Sequence, residues 1–176
     1  MKSKFGDMED KFKKILFADL DGTLIDTISG NTFPKGIWDM RFRFDVLDKI
    51  KGRGFKRLII VTNQGGIEKG FVEEKDFETK IKYVSSAISE YIGIPVHFQY
   101  CSTNRVEDEN RKPNVGMLKN AVHKYLIKHF LFFKKSEMLM IGDASGKDGQ
   151  FSDSDRRTAE NFEIDYLDVE DFVNGE

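Results

Sequence analysis

Four short apolar runs, ILFA at 15–18, LIIV at 58–61, VHFQYC at 96–101 and MLMI at 138–141, alternate with stretches that carry apolar residues at helical spacing. Runs this short suit strands covered on both faces, as in a parallel sheet with helices above and below. The helical stripes are Phe77, Ile81, Val84, Ile88 and Ile92, then Val115, Leu118, Val122, Leu126 and Phe130, each predicting a helix with one face on the core. A shorter helix over 45–53 stopped by Gly54, a strand over 56–61, a fifth strand over 164–167 and a last helix over 169–173 complete the alternation. That order predicts an α/β fold, a doubly wound, Rossmann-like parallel sheet with right-handed crossovers. Residues 102–111 and 142–155 read as loops.

The chain of 176 residues, 39% of them hydrophobic, suits one domain over 1–176 and is short for two. Residues 1–13 form a polar lead without the apolar stretch of a signal peptide or membrane span, so a soluble protein with no membrane partner is expected. A formal net charge of -2 does not announce a general nucleic-acid binder, although it leaves room for a local basic patch. Cys101 is the sole cysteine, which excludes an internal disulfide and a zinc cluster of several thiolates. A reducing, intracellular compartment, cytoplasmic or nuclear, is the simpler expectation, with Cys101 as a small apolar strand residue.

In a doubly wound sheet, ligands bind beyond the carboxyl ends of the strands. Asp19 and Asp21 follow the first run, Thr62, Asn63 and Gln64 end the second, and Gly142 with Asp143 closes the fourth. Residues i and i+2 of an extended segment share a side, so Asp19 and Asp21 can face one site, with Gly22 letting the chain turn away. Two such acids repel each other and are costly to bury unpaired. Asp143 adds a third carboxylate, and hard oxygen ligands of this kind suit Mg²⁺. With Thr62 and Lys112 nearby, the set resembles equipment for a phosphoryl group, where catalysis is mostly positioning and charge neutralisation.

DLDGT at 19–23, VTNQ at 61–64, RKP at 111–113 and GD at 142–143 resemble, in order, the four motifs of the haloacid dehalogenase superfamily of phosphohydrolases. SGNTFP after the first motif, RKPNVGM, and the Phe151-Ser152 stretch before Asp155-Arg156 are similar to the 3′-phosphatase domain of polynucleotide kinase 3′-phosphatases. The resemblance implies a Mg²⁺-dependent phosphomonoesterase with Asp19 as nucleophile, through an aspartyl-phosphate, and Asp21 as general acid and base. It implies Mg²⁺ on the carboxylates of Asp19 and Asp143 and the backbone carbonyl of Asp21. Thr62 and Lys112 would bind phosphoryl oxygens, with Asn63 and the Gly22 amide shaping the same pocket and Arg111 beside Lys112 in support. For a further supporting acid the loop offers Asp148, Asp153 and Asp155, of which Asp155 matches the family's helix opening best.

The implied substrate is a 3′-phosphorylated DNA end. The alternatives are a small-molecule phosphatase of the histidinol-phosphate or sugar-bisphosphate type, or a noncatalytic phosphoacceptor or binding module. Relatives of the small-molecule type usually carry a zinc loop of several Cys and a His before the RKP-like motif, whereas residues 101–111 hold one Cys and no His. No GxxxxGK[ST] loop occurs, so no kinase domain is expected in this chain. The intervals between motifs leave no room for a large cap, and a small hairpin flap over 25–34, turning at Ser29-Gly30-Asn31, should be the only cover. Trp38, Phe42 and Phe44 could stack on a base or pack the flap. His97, His123 and His129 are expected to be surface residues, and Lys134-Lys135 a solvated turn.

Overall fold

The computed structural model describes residues 13–175. The polar lead predicted over 1–13 lies outside the described residues except for Lys13. Five parallel strands form the main sheet: β1 (Ile15–Ala18), β4 (Arg57–Asn63), β5 (Val96–Cys101), β6 (Met138–Gly142) and β7 (Asp165–Asp168), in the spatial order β5-β4-β1-β6-β7. A separate antiparallel pair, β2 (Ile25–Asp26) with β3 (Arg41–Phe42), follows β1 in the chain. The helices are α1 (Phe44–Gly52), α2 (Glu74–Ile92), α3 (Gly116–Ala121), α4 (Ser154–Phe162) and α5 (Val169–Asn174). No helix among the described residues is long and apolar enough to cross a membrane.

The apolar runs at 15–18, 58–61 and 138–141 are buried throughout because each strand feeds two cores. Leu16, Ala18, Leu58, Ile60, Leu139 and Ile141 face the layer built by α1, α2 and α5. Their neighbours Ile15, Phe17, Ile59, Val61, Met138 and Met140 face the layer of α3 and α4. Period-two alternation inside an all-apolar run is what a sheet covered on both faces requires. After β5 the chain crosses from one side of β1 to the other, so strand order reverses at β1, where a ligand crevice is expected.

Three expectations need correction. The run at 96–101 is an edge strand, half-buried except at Cys101, and its His97 stacks on Tyr125 with ring centroids 4.3 Å apart. A strand with one neighbour need not be apolar at every position. The helix predicted through Phe130 is α-helical only over Gly116–Ala121; a wider turn, Val122–Leu126, and a tighter one, Ile127–His129, follow. The widened turn keeps Leu126 in the core and swings Phe130 out to 84% exposure. The flap is longer than 25–34, since β2 pairs with β3 and residues 27–40 form the connection. Asp39 closes that loop by accepting from Ser29 N at 2.8 Å, Ser29 Oγ at 2.6 Å and Lys35 N at 2.8 Å. Gly30 does take positive φ (74°), but the loop is gathered on a carboxylate rather than on a two-residue turn.

The remaining boundaries fall within a residue or two of expectation: α1 at 44–52, β7 at 165–168 and α5 at 169–174. The Lys134-Lys135 pair is exposed and opens a single turn, Lys135–Glu137, with Lys135 paired to Glu163 across 3.0 Å.

Candidate active site

Register delivers three chemical groups to one edge. Ala18 pairs with Ile60 on one side and Ile141 on the other, so Asp19, Thr62 and Asp143 all emerge just beyond the same level of the sheet. Asp19 is 8% exposed and its N–H donates to the Ile141 carbonyl at 3.1 Å. Asp155, in the first turn of α4, is completely buried and accepts from Ala144 N at 3.1 Å. Carboxylate oxygens of Asp19, Asp143 and Asp155 lie within 4.8 Å of one another.

Two glycines make this crowding possible. Gly22 has φ of 76°, and a Cβ there would sit 2.2 Å from Asp143 Oδ2. A Cβ on Gly142 would sit 2.2 Å from Asp155 Oδ2. The first position is closed to other residues by backbone and by space, the second by space alone.

Lys112 enters the cluster from the far side, 4% exposed, and its Nζ donates to Asp19 Oδ1 and Asp155 Oδ1, each at 2.6 Å. Its backbone is gripped by Asn63: Nδ2 donates to the Lys112 carbonyl at 3.1 Å and the Lys112 N–H donates to Oδ1 at 3.0 Å. Asp21 stands exposed at the rim, where Gln64 Nε2 donates to Asp21 Oδ2 at 2.8 Å and to the buried Thr62 Oγ1 at 2.9 Å.

Burial pushes the Asp19 carboxyl well above the ordinary range, helped by the charges of Asp155 and Asp143 and opposed by Lys112. Burial, with the Asp155 charge, brings Asp143 up to about 6. Burial alone would lower Lys112, but the charges of Asp155 and Asp19 outweigh it and hold the ammonium above its ordinary value. With all three acids ionised, the cluster carries three negative charges against one ammonium. A divalent cation balances that residue of two charges, and an all-oxygen donor set fits Mg²⁺.

The structure thus gathers Asp19, Asp21, Gly22, Thr62, Asn63, Lys112, Asp143 and Asp155 at one edge. Asp148 stays exposed in the loop of residues 143–153. Arg111 turns away to donate to the Thr103 carbonyl at 2.7 Å, and Asp153 pairs with Arg156 at 3.5 Å. Neither these nor Asp148 belongs to the carboxylate cluster. The sequence reading gave no role to Gln64, although it stands two residues beyond Thr62 on extended backbone and so shares its side. It also missed Arg43, which no local pattern marks. Arg43 joins the Gly22 carbonyl (3.3 Å), Asp45 (2.6 Å) and Glu170 (2.8 Å), tying the flap base to α5. A cavity of about 710 Å³ opens beside the cluster, lined by Gly22 and Asp143 on one side and by Arg41, Phe42, Phe44 and Glu170 on the other.

Comparison with known proteins identifies the family. Residues 14–173 match the family model described as polynucleotide kinase 3 phosphatase. The chain is 33% identical over 171 residues to an uncharacterized 20.8 kDa protein of Autographa californica nuclear polyhedrosis virus, covering 93% of this chain and 87% of that one. It is 32% identical over 176 residues to the bifunctional polynucleotide phosphatase/kinase of Schizosaccharomyces pombe, covering 98% of this chain but 40% of that longer protein. A Thermoplasma volcanium protein named for D-glycero-D-manno-heptose-1,7-bisphosphate 7-phosphatase is 28% identical over 141 residues, 79% of this chain and 91% of that one. Among solved structures, D,D-heptose 1,7-bisphosphate phosphatase from B. bronchiseptica, complexed with magnesium and phosphate, superposes with a TM-score of 0.64 at 16% identity, over 87% of this chain and 78% of that one, and shares the fold. With nearly the whole described chain inside the family model and the acids, lysine and threonine converging on one sheet edge, the protein belongs to the polynucleotide kinase 3 phosphatase family of haloacid dehalogenase-like phosphatases.

Proposed function

We propose that the protein is a Mg²⁺-dependent phosphomonoesterase that removes the 3′-phosphate from DNA ends. The observation that carries this reading is the family match over residues 14–173, joined to a site whose described cover is only the flap of residues 25–42. A narrow chain end can reach the Asp19 edge without a cap having to move.

In this reading an Asp19 carboxylate oxygen attacks phosphorus, the bond from phosphorus to the sugar oxygen breaks, and Asp21 gives the departing oxygen its proton. Asp21 then takes a proton from water, whose oxygen attacks the phosphorus of the aspartyl-phosphate, releasing inorganic phosphate and restoring both acids. Exposure at the rim lets Asp21 meet both the leaving group and water, and Gln64 aims it. Lys112 and Thr62 take the phosphoryl oxygens, and Asn63 acts by holding Lys112 in place rather than by touching phosphate. Asp19 and Asp143 would hold Mg²⁺, with the Asp21 backbone carbonyl as the resemblance implies, and Asp155 braces Lys112 from behind. When bound, the ion supplies the charge neutralisation that lets an anionic carboxylate approach a phosphate.

A sugar-bisphosphate substrate is the second reading, favoured by the match over nearly the full length of the Thermoplasma volcanium relative. Against it, the 102–111 loop is organised without a metal-type donor set. Asp108 accepts from Thr103 Oγ1 at 2.7 Å and Asn110 N at 2.9 Å, and those donors hold its carboxyl below the usual range. Phosphate release from 3′-phosphorylated and 5′-phosphorylated oligonucleotides, sugar bisphosphates and simple phosphomonoesters, with Asp19→Asn as control, decides between them. Turnover of the bisphosphates with none on any 3′-phosphorylated strand would overturn the DNA-end reading.

A further inference from the structure

Five aromatic side chains form a continuous band on the surface beside the site. Trp38 meets Tyr83 edge to face at 5.7 Å, Tyr83 meets Phe42 at 6.5 Å, Phe42 meets Phe44 at 6.2 Å and Phe44 meets Tyr91 at 5.2 Å. Its middle members, Phe42 and Phe44, line the cavity that Asp143 and Gly22 line from the other side. Trp38 and Tyr83 are 51% and 54% exposed. Burying such rings in a core is the ordinary way to use them, and leaving a row of them half in water is costly without a partner.

The two arms of the band differ. Tyr91 is already engaged: its hydroxyl donates to Asp48 at 2.6 Å and Lys51 Nζ lies 5.1 Å from its ring centroid, so it serves the packing of α2 on α1. Among the described residues no hydrogen bond or cation–π contact engages the side chains of the arm from Phe42 through Tyr83 to Trp38, and Arg41, exposed on β3, brings a cation to it. Nearby Asp45 is spoken for by Arg43 at 2.6 Å.

We infer that the Phe42–Tyr83–Trp38 arm is a stacking platform for the unpaired bases next to the 3′ end, with Arg41 against the backbone phosphates. The inference rests on the DNA-end reading and deepens it: the substrate class is a single-stranded or frayed 3′ terminus several nucleotides long. Aromatic rows with interleaved cations bind single strands this way because every base offers a π-face. Continuity with the cavity beside Asp143 and Gly22 selects this occupant over a second copy of the chain, since a strand whose end reaches the carboxylate cluster can run out across that face.

The test is kcat/KM on 3′-phosphorylated oligothymidylates from two to eight nucleotides, beside a small phosphomonoester. The expected result is an increase of about tenfold or more between two and five nucleotides, abolished in Trp38→Ala and Tyr83→Leu, retained in Tyr83→Phe and in Tyr91→Ala. Arg41→Gln should flatten the dependence of log KM on log salt by about one phosphate's share. Hydrolysis of oligonucleotides with no length dependence, or with one that Tyr83→Leu leaves intact, overturns the platform while the DNA-end reading stands. Hydrolysis of the small ester with none of any oligonucleotide takes both down. A dimer in sedimentation that Tyr83→Leu dissolves would assign the band to a second copy and overturn the platform as well.

Discussion

Asn63 and Lys112 hold each other in both directions, side-chain amide to backbone carbonyl and backbone N–H to side-chain carbonyl, at 3.1 and 3.0 Å. The consequence is that the ammonium between Asp19 and Asp155 is placed by a residue at the end of β4, 49 positions away in sequence. Asn63→Ala leaves a half-buried backbone pair without partners, a cost of about 1–3 kcal/mol. The expected outcome is a fall in thermal stability together with a loss of turnover of roughly tenfold or more. Asn63→Asp, which keeps one acceptor and loses the donor, should fall between. Denaturation midpoints and single-turnover rates check it, and an Asn63→Ala enzyme with unchanged rate removes Asn63 from the machinery.

Gly142→Ala separates packing from backbone conformation. Its Cβ would meet Asp155 Oδ2 at 2.2 Å, so Asp155 must shift and release Lys112. Activity should drop at least a hundredfold, with the far-ultraviolet circular dichroism spectrum preserved. Gly22→Ala adds the strain of positive φ and should be worse in both activity and stability. Near-normal kinetics in Gly142→Ala would mean that the carboxylates are not packed as described.

Acidity near 6 at Asp143 sets the pH response to the ion. A ligand carboxyl must lose its proton before it coordinates, so Asp143 alone should weaken Mg²⁺ affinity by up to tenfold per pH unit below about 6, and Asp19, also raised, should steepen the loss. The sign for stability runs the other way in the ion-free protein. With a folded pKa above the ordinary value, the folded state binds the proton more tightly than the unfolded chain, and stability falls as pH rises from about 4 through 6. Added Mg²⁺ should restore it above pH 6. Calorimetric titrations in buffers of different ionisation enthalpy measure the released proton, and an affinity flat from pH 5 to 8 contradicts the assignment.

Gln64 is expected to matter through Asp21. Gln64→Leu removes the donor that orients that carboxylate and the donor to Thr62 Oγ1 with it, so kcat should fall several-fold with a smaller change in KM. Esters with better leaving groups, which need less help from an acid, should lose less. Equal losses for good and poor leaving groups would show Gln64 to be structural.

Much of this was legible in the chain itself. The alternation of all-apolar runs with helical stripes gives the doubly wound sheet, because a strand covered on both faces leaves no polar position to hide it. The i, i+2 spacing of Asp19 and Asp21 and the acids at strand ends give the edge. What escaped has a common cause. Phe130 continues a helical stripe perfectly, and only a widened turn, invisible in periodicity, takes it out of the core. The flap's true span depends on Asp39 reaching back ten residues to Ser29, a side-chain closure that no turn pattern announces. Arg43 is defined by its partners at 22 and 170, which only tertiary structure brings to it.

The loop of residues 27–40 is gathered on Asp39, at its own root, with Ile37 and Met40 resting on the core and its other residues largely exposed. Changes confined to its exposed positions leave the chemistry beneath as it is. Preference for a new leaving group can therefore arise by rewriting one surface excursion, while the reacting centre is inherited unchanged.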